Sequence, residues 1–172
     1  MLSWTAIERA IVNHVKAATG IEVIFADQVG EQPLMPYATI KINGPRALSP
    51  QPEILLGYDS GAPAGQEVTQ TVILHGEIQV SIQTYSQITA GAGTARELLE
   101  QVRRTLFLPG RRDLLSAAGL ALLAASDTQD LSVLLEATWQ SRAAMDVRFN
   151  MVDDSAKDST GYIATANVTG SA

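Results

Sequence analysis

The sequence contains no cysteine and only two histidines among its 172 residues. The lack of cysteine excludes disulfide bonds, thiolate nucleophiles and the usual cysteine-containing zinc motifs. His14 and His75 do not have the spacing of a His-Glu-x-x-His zinc motif. Asp153, Asp154 and Asp158 do not have the spacing of an EF-hand calcium loop. We therefore expect no metal site, no cofactor and no catalytic residue.

Charged residues are also scarce, at 17% of the chain, and acidic residues outnumber basic ones by 18 to 12. Soluble domains average about 25% charged residues, so part of this surface is expected to be covered by another surface. The basic pairs Arg103-Arg104 and Arg111-Arg112 are too small to indicate tight DNA binding. An acidic surface repels DNA, which suits a passage for DNA better than a clamp.

The sequence has no hydrophobic run long enough to span a membrane. The longest apolar stretch, residues 117–125, is interrupted by Gly119 and falls well short of the roughly 20 residues of a membrane helix. The first eight residues show neither the basic region nor the apolar core of a signal peptide. We expect no membrane association, and a chain of this length predicts a single domain over residues 1–172.

Two Thr-x-x-Glu capping boxes predict helix starts, the first at Thr5 and Glu8 and the second at Thr94 and Glu97. Gly20 is predicted to end the first helix, on which we interpret His14 as a half-buried structural residue. Further predicted elements are a third helix at Arg111–Ala118, after a break at Leu108–Gly110, strands at Ile21–Ala26, Tyr37–Ile42 and Leu120–Ala125, and a turn at Asp127–Asp130.

Two long alternating segments predict two unusually long strands. In the first, Val68–Ile82, even positions are mostly apolar and odd positions mostly polar. A hairpin turn at His75-Gly76 would mix the two kinds of residue on one face, so one continuous strand is the better interpretation. The second segment runs from Ala137 to Met151. Strands of about 16–18 residues reach about 50–60 Å, whereas a domain of this size is about 40 Å across. The strands must bend or project, and a projecting strand offers its backbone to a neighbouring subunit.

Charged residues on the polar faces of these strands are the candidate intersubunit contacts. They are His75 and Glu77 on the first strand and Arg142 and Arg148 on the second. An ordinary cross-strand ion pair, contributing a few tenths of a kcal/mol, is an equally open interpretation.

The segment 43–66 is rich in proline and glycine and is predicted to be a long loop with a brief strand at Ile54–Leu56. We expect it to become ordered against a neighbour. Near the C-terminus, a polar turn at Asp153–Ser159 followed by a strand at Tyr162–Val168 predicts an extension over residues 153–172. The predicted fold is α/β (α+β), a mixed and mainly antiparallel sheet with long strands flanked by about three helices.

The order of these elements resembles the tail terminator and neck (head–tail joining) proteins of long-tailed bacteriophages. The resemblance covers roughly residues 3–152 and rests mainly on the segments Glu77–Tyr85, Asp130–Leu134 and Trp139–Phe149. It implies a non-enzymatic virion protein that forms a ring, usually a hexamer, at the head–tail junction. Such a ring caps the tail tube, meets the head-side connector and leaves a channel for DNA. It also implies synthesis in the bacterial host cytoplasm.

Three alternatives remain open from the sequence. The first is a head-completion or adaptor protein on the connector side of the same junction. The second is a small hydrolase that uses clustered carboxylates, with Asp27, Glu77 and Asp146 as the candidates. The third is a generic binding module that stays monomeric.

Overall fold

The fold of the described residues is a mixed sheet that carries three helices. The computed structural model describes residues 3–63, 65–87, 94–135 and 138–160. In chain order the elements are α1 (Trp4–Thr19), β1 (Glu22–Phe25), β2 (Tyr37–Ala47), β3 (Glu53–Tyr58), β4 (Val68–Gln87), α2 (Ala95–Thr105), α3 (Pro109–Ala117), β5 (Leu120–Ala125), β6 (Gln129–Asp130), β7 (Val133–Leu135) and β8 (Thr138–Thr160).

The sheet has the strand order β1-β2-β4-β8-β5. β1 runs parallel to β2, and the other pairings are antiparallel. β3 pairs with β4, and the short strands β6 and β7 pair with β8. This arrangement confirms the predicted fold class of a mixed, mainly antiparallel sheet with long strands and three helices.

The two long strands are longer than the sequence predicted. β4 has 20 residues and β8 has 23. They pair from Val68 opposite Thr160 to Gln87 opposite Gln140, with one irregularity between Val72 and Leu74. β4 passes through His75-Gly76 without a turn, as predicted, and at about 3.3 Å per residue it extends about 66 Å.

The hydrophobic core lies between one face of this sheet and the helices. Even positions of β4 from Gly76 to Ser86 and odd positions of β8 from Ser141 to Met151 alternate as buried residues, as the sequence predicted for this part of the strands. The helices contribute apolar residues at helical spacing, so each buries one stripe against the sheet. The central buried residues are Ile7, Ile11, Val15, Ile40, Ile78, Val80, Ile82, Leu99, Val102, Met145, Val147 and Phe149.

The helix ends confirm one predicted capping box and correct the other. Thr94 caps α2, and both hydrogen bonds of its box with Glu97 are present. α1 begins earlier than predicted, because the Ser3 hydroxyl accepts the Ala6 N–H at 3.3 Å and fulfils the capping role given to Thr5. Gly20 ends α1 in the left-handed region, at φ 72°.

The boundary between α2 and α3 also differs from the prediction. α2 ends at Thr105, and α3 begins at Pro109 rather than at Arg111. Proline is favoured in the first turn of a helix because its missing N–H has no helical partner there. The segment Leu108–Gly110, which was predicted as a break after the second helix, therefore mostly forms the start of α3.

The prediction that residues 43–66 form a long loop with one brief strand was wrong at its start and right about the strand. β2 continues to Ala47, because a bulge between Asn43 and Arg46 lets the strand resume pairing with β4. Gly44 adopts φ 117° in this bulge, a conformation that favours glycine. The brief strand predicted at Ile54–Leu56 is confirmed as β3 and is longer, at Glu53–Tyr58.

Two predicted turns were also wrong. Asp153–Ser159 is part of β8, because its backbone pairs with the first residues of β4 despite its polar sequence. The segment Asp127–Asp130 contains the short strand β6. The strand predicted at Tyr162–Val168 lies outside the described residues, so the structure describes the C-terminal extension only to Thr160.

Leu99→Ala tests the packing of α2 on the sheet. Leu99 is fully buried, so we expect the substitution to lower the free energy of unfolding by about 2–5 kcal/mol. Leu123→Ala is the matched control, because Leu123 on β5 is 47% exposed. This substitution should lower the free energy of unfolding by less than about 1 kcal/mol. Urea unfolding of both variants measures the difference, and equal losses would contradict the assignment of Leu99 to the core.

Candidate functional site

A three-stranded extension projects from the body of the sheet. It consists of β3, residues 68–73 of β4 and residues 156–160 of β8, and we call it the arm. β2 leaves the sheet where Ala47 pairs with Gly76, and β3 takes its place beside β4 further along the strand. The irregularity between Val72 and Leu74 in the β4–β8 pairing marks the boundary between arm and body. Bulges of this kind increase local twist and bend a sheet.

The arm is not buried within the chain. All residues of β3 are exposed, and none of residues 68–73 of β4 is buried. By contrast, every even-numbered residue of β4 from Gly76 to Ser86 is buried in the body. The two parts of one strand therefore have different environments.

One face of the β3–β4 part of the arm is mostly apolar, and its β3 residues are exposed. Register places Ile54 opposite Val72, Leu56 opposite Gln70 and Tyr58 opposite Val68, so this face carries five apolar side chains and one glutamine. Ile54, Leu56 and Tyr58 are 57%, 68% and 62% exposed. We call Ile54, Leu56, Tyr58, Val68 and Val72 the arm face.

The arm face continues the face of the sheet that forms the core. Val68 and Val72 occupy even positions of β4, as do the buried residues Ile78 and Val80. In the body that face is buried under helices, whereas on the arm its β4 residues are half-buried and its β3 residues are exposed. A sheet face of this composition is normally buried against another layer, so the arm face has the character of an interface.

The tip of the arm is acidic. Asp59 follows β3, its N–H donates to the Glu67 carbonyl at 2.9 Å, and its carboxylate accepts the Gly61 N–H at 2.9 Å. The Glu67 carboxylate accepts the Gly65 N–H at 2.8 Å. Lys157 pairs in register with Thr71 and so belongs to the opposite face of the arm. The arm face therefore ends in negative charge.

The structure brings two of the four predicted contact residues together. An Arg148 Nη1 atom lies 3.6 Å from Glu77 Oε1, which makes the cross-strand ion pair that the sequence left open. Because Arg148 is half exposed, such a pair contributes at most about 1 kcal/mol. His75 lies at the base of the arm, and its Nε2 is 3.2 Å from Glu53 Oε2.

Arg142 lies elsewhere, near the opposite end of the body, where it pairs in register with Tyr85. Its Nη2 donates to Gln83 Oε1 at 2.6 Å, and its guanidinium lies 5.2 Å from the centre of the Tyr85 ring. Tyr85 stacks on Tyr37 with ring centres 4.7 Å apart. The four residues thus occupy three separate places, and their role between subunits stays a prediction.

The carboxylates of the hydrolase alternative do not share partners. Asp27 lies 3.4 Å from Lys41 Nζ, Glu77 pairs with Arg148, and Asp146 accepts the Ser81 hydroxyl at 2.6 Å. Within the described residues, no group of three or more potential metal ligands is present. The described helices include none that is long and apolar enough to cross a membrane.

A groove between α1 and α3 was missed by the sequence analysis. It has a volume of about 330 Å³, and we call it the helix groove. Its buried lining residues are His14 and Leu115, whereas Arg9 and Leu114 lie exposed at its rim together with the half-buried Arg111. The one signal in the sequence is Leu114, an apolar residue on the solvent side of a short helix.

His14 is buried, at 6% exposure, and so lies deeper than the half-buried position that the sequence predicted. Its Nε2 lies 3.2 Å from the Thr105 hydroxyl, which itself donates to the Val102 carbonyl at 2.8 Å. A hydroxyl has one hydrogen, so this arrangement leaves the Thr105 oxygen to accept an N–H from His14. Burial lowers the pKa of His14 below its ordinary value. A hydrogen bond with the Val102 backbone opposes this change, and nearby Arg111 adds to the lowering.

The lowered pKa of His14 predicts a pH dependence of stability. As the pH falls through 6.5, the unfolded chain binds a proton that the folded chain resists, so the free energy of unfolding decreases. This contribution is at most about 1.4 kcal/mol per pH unit, the limit for one proton. Wild-type and His14→Gln proteins should be unfolded in urea at several pH values between 5 and 7.5, an interval of about 2.5 units in which histidine titrates. The wild-type curve should be steeper, and identical slopes would contradict the assignment.

Comparison with known protein families identifies a relationship over nearly the whole chain. A search of curated proteins finds no match to this chain. A family model described as "Phage neck terminator protein" matches residues 5–172, nearly the whole chain. That family is a structural one, and its neck proteins are parts of the phage virion. The chain therefore belongs to the phage neck terminator protein family.

Proposed function

We propose that this protein forms a closed homo-oligomeric ring, most simply a hexamer, at the junction between phage head and tail. The ring caps the tail tube protein, joins it to the head-side connector and leaves a channel for DNA. The observation that supports this proposal best is the arm face, an exposed apolar surface on a segment that the chain's own helices do not cover.

The physical reason lies in the limited stability of a thin sheet. A few strands without a covered apolar face are marginal in water. Ile54 and Leu56 are both large and exposed, and burying each side chain fully would contribute about 1.5–3 kcal/mol. A neighbouring copy of the chain supplies such cover at every position of a ring.

The charge balance suits passage of DNA without specific binding. The chain has a formal net charge of −6, so a lumen built from it repels phosphates and does not hold them. The protein would be synthesised in the bacterial host cytoplasm and then incorporated into the virion. No catalytic step is part of this role.

The arm face can be tested by paired substitutions. Ile54→Lys together with Leu56→Lys puts charge on the arm face, and we expect the ring to be lost while the body stays folded, because the body's core does not include these residues. Leu55→Lys is the matched control, since Leu55 pairs with Thr71 and belongs to the opposite face of the same strand. Light scattering gives the mass, and negative-stain imaging shows any ring.

Each variant is measured alone and also mixed with purified tail tubes, because some rings assemble only around a tail tube. Rings formed normally by the double variant under both conditions would refute the role given to the arm face. A wild-type chain that stays monomeric and does not bind tail tubes would refute the ring itself. Co-purification of wild-type protein with the portal instead of tail tubes would place it on the connector side, as an adaptor.

A further inference from the structure

We propose that the arm of each copy docks into the helix groove of the next copy. This inference rests on the proposed ring and names the two surfaces that meet in it. The arm face supplies apolar side chains and an acidic tip. The helix groove supplies an apolar floor with arginines at its rim.

The two surfaces match in shape and polarity. The helix groove is a concave space of about 330 Å³, large enough for one or two aliphatic side chains of the arm face. Its lining includes the exposed Leu114 and the small residues Ala6, Ala10 and Ala117, which leave room for an inserted side chain. On the arm, Leu56 is 68% exposed and lies between Ile54 and Tyr58 along β3.

The charges also match. Arg9 stands on the α1 side of the helix groove and Arg111 on the α3 side. Asp59 and Glu67 stand at the tip of the arm, and Lys157 belongs to its opposite face. When the arm face contacts the helix groove, the carboxylates of the tip approach the guanidinium groups and Lys157 points away from them. This charge arrangement favours one orientation of the arm in the groove.

The contact has to be made between different copies. The lining of the helix groove includes no residue of the arm. The arm extends about eight residues beyond Gly76, or about 26 Å, which is more than half of the roughly 40 Å diameter expected for a domain of this size. It can therefore reach across the surface of a neighbour.

The chemistry of the two surfaces determines the symmetry. The arm face and the helix groove are different surfaces, so their contact is head-to-tail. A head-to-tail contact repeats from copy to copy and closes into a ring when the rotation allows it, whereas a two-fold dimer would use one surface twice. The docking is therefore compatible with the ring proposed above.

Engineered cysteines give the sharpest test, because the natural chain has none. The variant Leu56→Cys with Leu114→Cys places one thiol on the arm face and one at the rim of the helix groove. A disulfide requires the two α-carbons to approach within about 7 Å, so it reports direct docking. Under mild oxidation, we expect a ladder of covalent oligomers up to the ring on non-reducing gels.

The controls separate this inference from the proposed function. Each single-cysteine variant can form dimers at most, and Leu55→Cys with Leu114→Cys should give no ladder because Leu55 belongs to the opposite face of the arm. Ring formation is measured by light scattering and imaging before oxidation. A second pair, Tyr58→Cys with Leu114→Cys, is tested in the same way. If rings form but neither pair gives a ladder, the docking is refuted and the ring itself is not. A ladder from the Leu55 pair as strong as that from the Leu56 pair overturns the choice of face.

A charge reversal provides an independent measurement. Arg111→Glu should raise the protein concentration needed for ring assembly by about tenfold or more, because it places a carboxylate next to the acidic tip. Arg112→Glu is the matched control, since the neighbouring Arg112 is exposed and does not line the helix groove. Equal effects of the two reversals would overturn the role of the groove charges. Circular dichroism checks that both variants keep their helices.

Discussion

The antiparallel ladder between β4 and β8 is the interaction on which the rest of this structure depends. The pairing runs through nearly the full length of both strands, from Val68 opposite Thr160 to Gln87 opposite Gln140. Each of the other sheet strands except β1 pairs directly with one of these two, and β1 is attached through β2. The helices in turn pack on the face that the ladder presents, so the ladder positions the core as well as the sheet.

The excess length of this ladder divides the chain into a body and an arm. Helices of 16, 11 and 9 residues cover only part of a sheet about 66 Å long. Beyond Gly76 the same face of β4 continues without cover, which turns a core face into an exposed one. In the ring that we propose, a neighbouring subunit would cover this exposed face.

Much of the fold was accessible because burial imposes a periodicity on the residues themselves. The alternation through His75-Gly76 predicted one strand, and the Thr94–Glu97 box predicted the start of α2. The failures occurred where a partner overrides local preference. Gly44-Pro45 resembles a strand break, yet β2 resumes its pairing with β4 beyond the bulge. The polar segment Asp153–Ser159 resembles a turn, yet the first residues of β4 hold it in β8. Ser3 took the cap from Thr5 because either residue can start a helix, and local sequence does not choose between them.

The sequence by itself determined the strand periodicity, the capped helices and the absence of cysteine chemistry, because these follow from residue types and their spacing. The interactions of the charged residues were not determined, since Glu77 and Arg148 become neighbours only through a register set by distant strands. Only the tertiary structure decided which apolar residues stay exposed. Ile54 and Leu56 are as apolar as the core residue Ile78, and what distinguishes them is how far the helices reach along the sheet. The helix groove arises in the same way, from the packing of α1 beside α3, which no local pattern records.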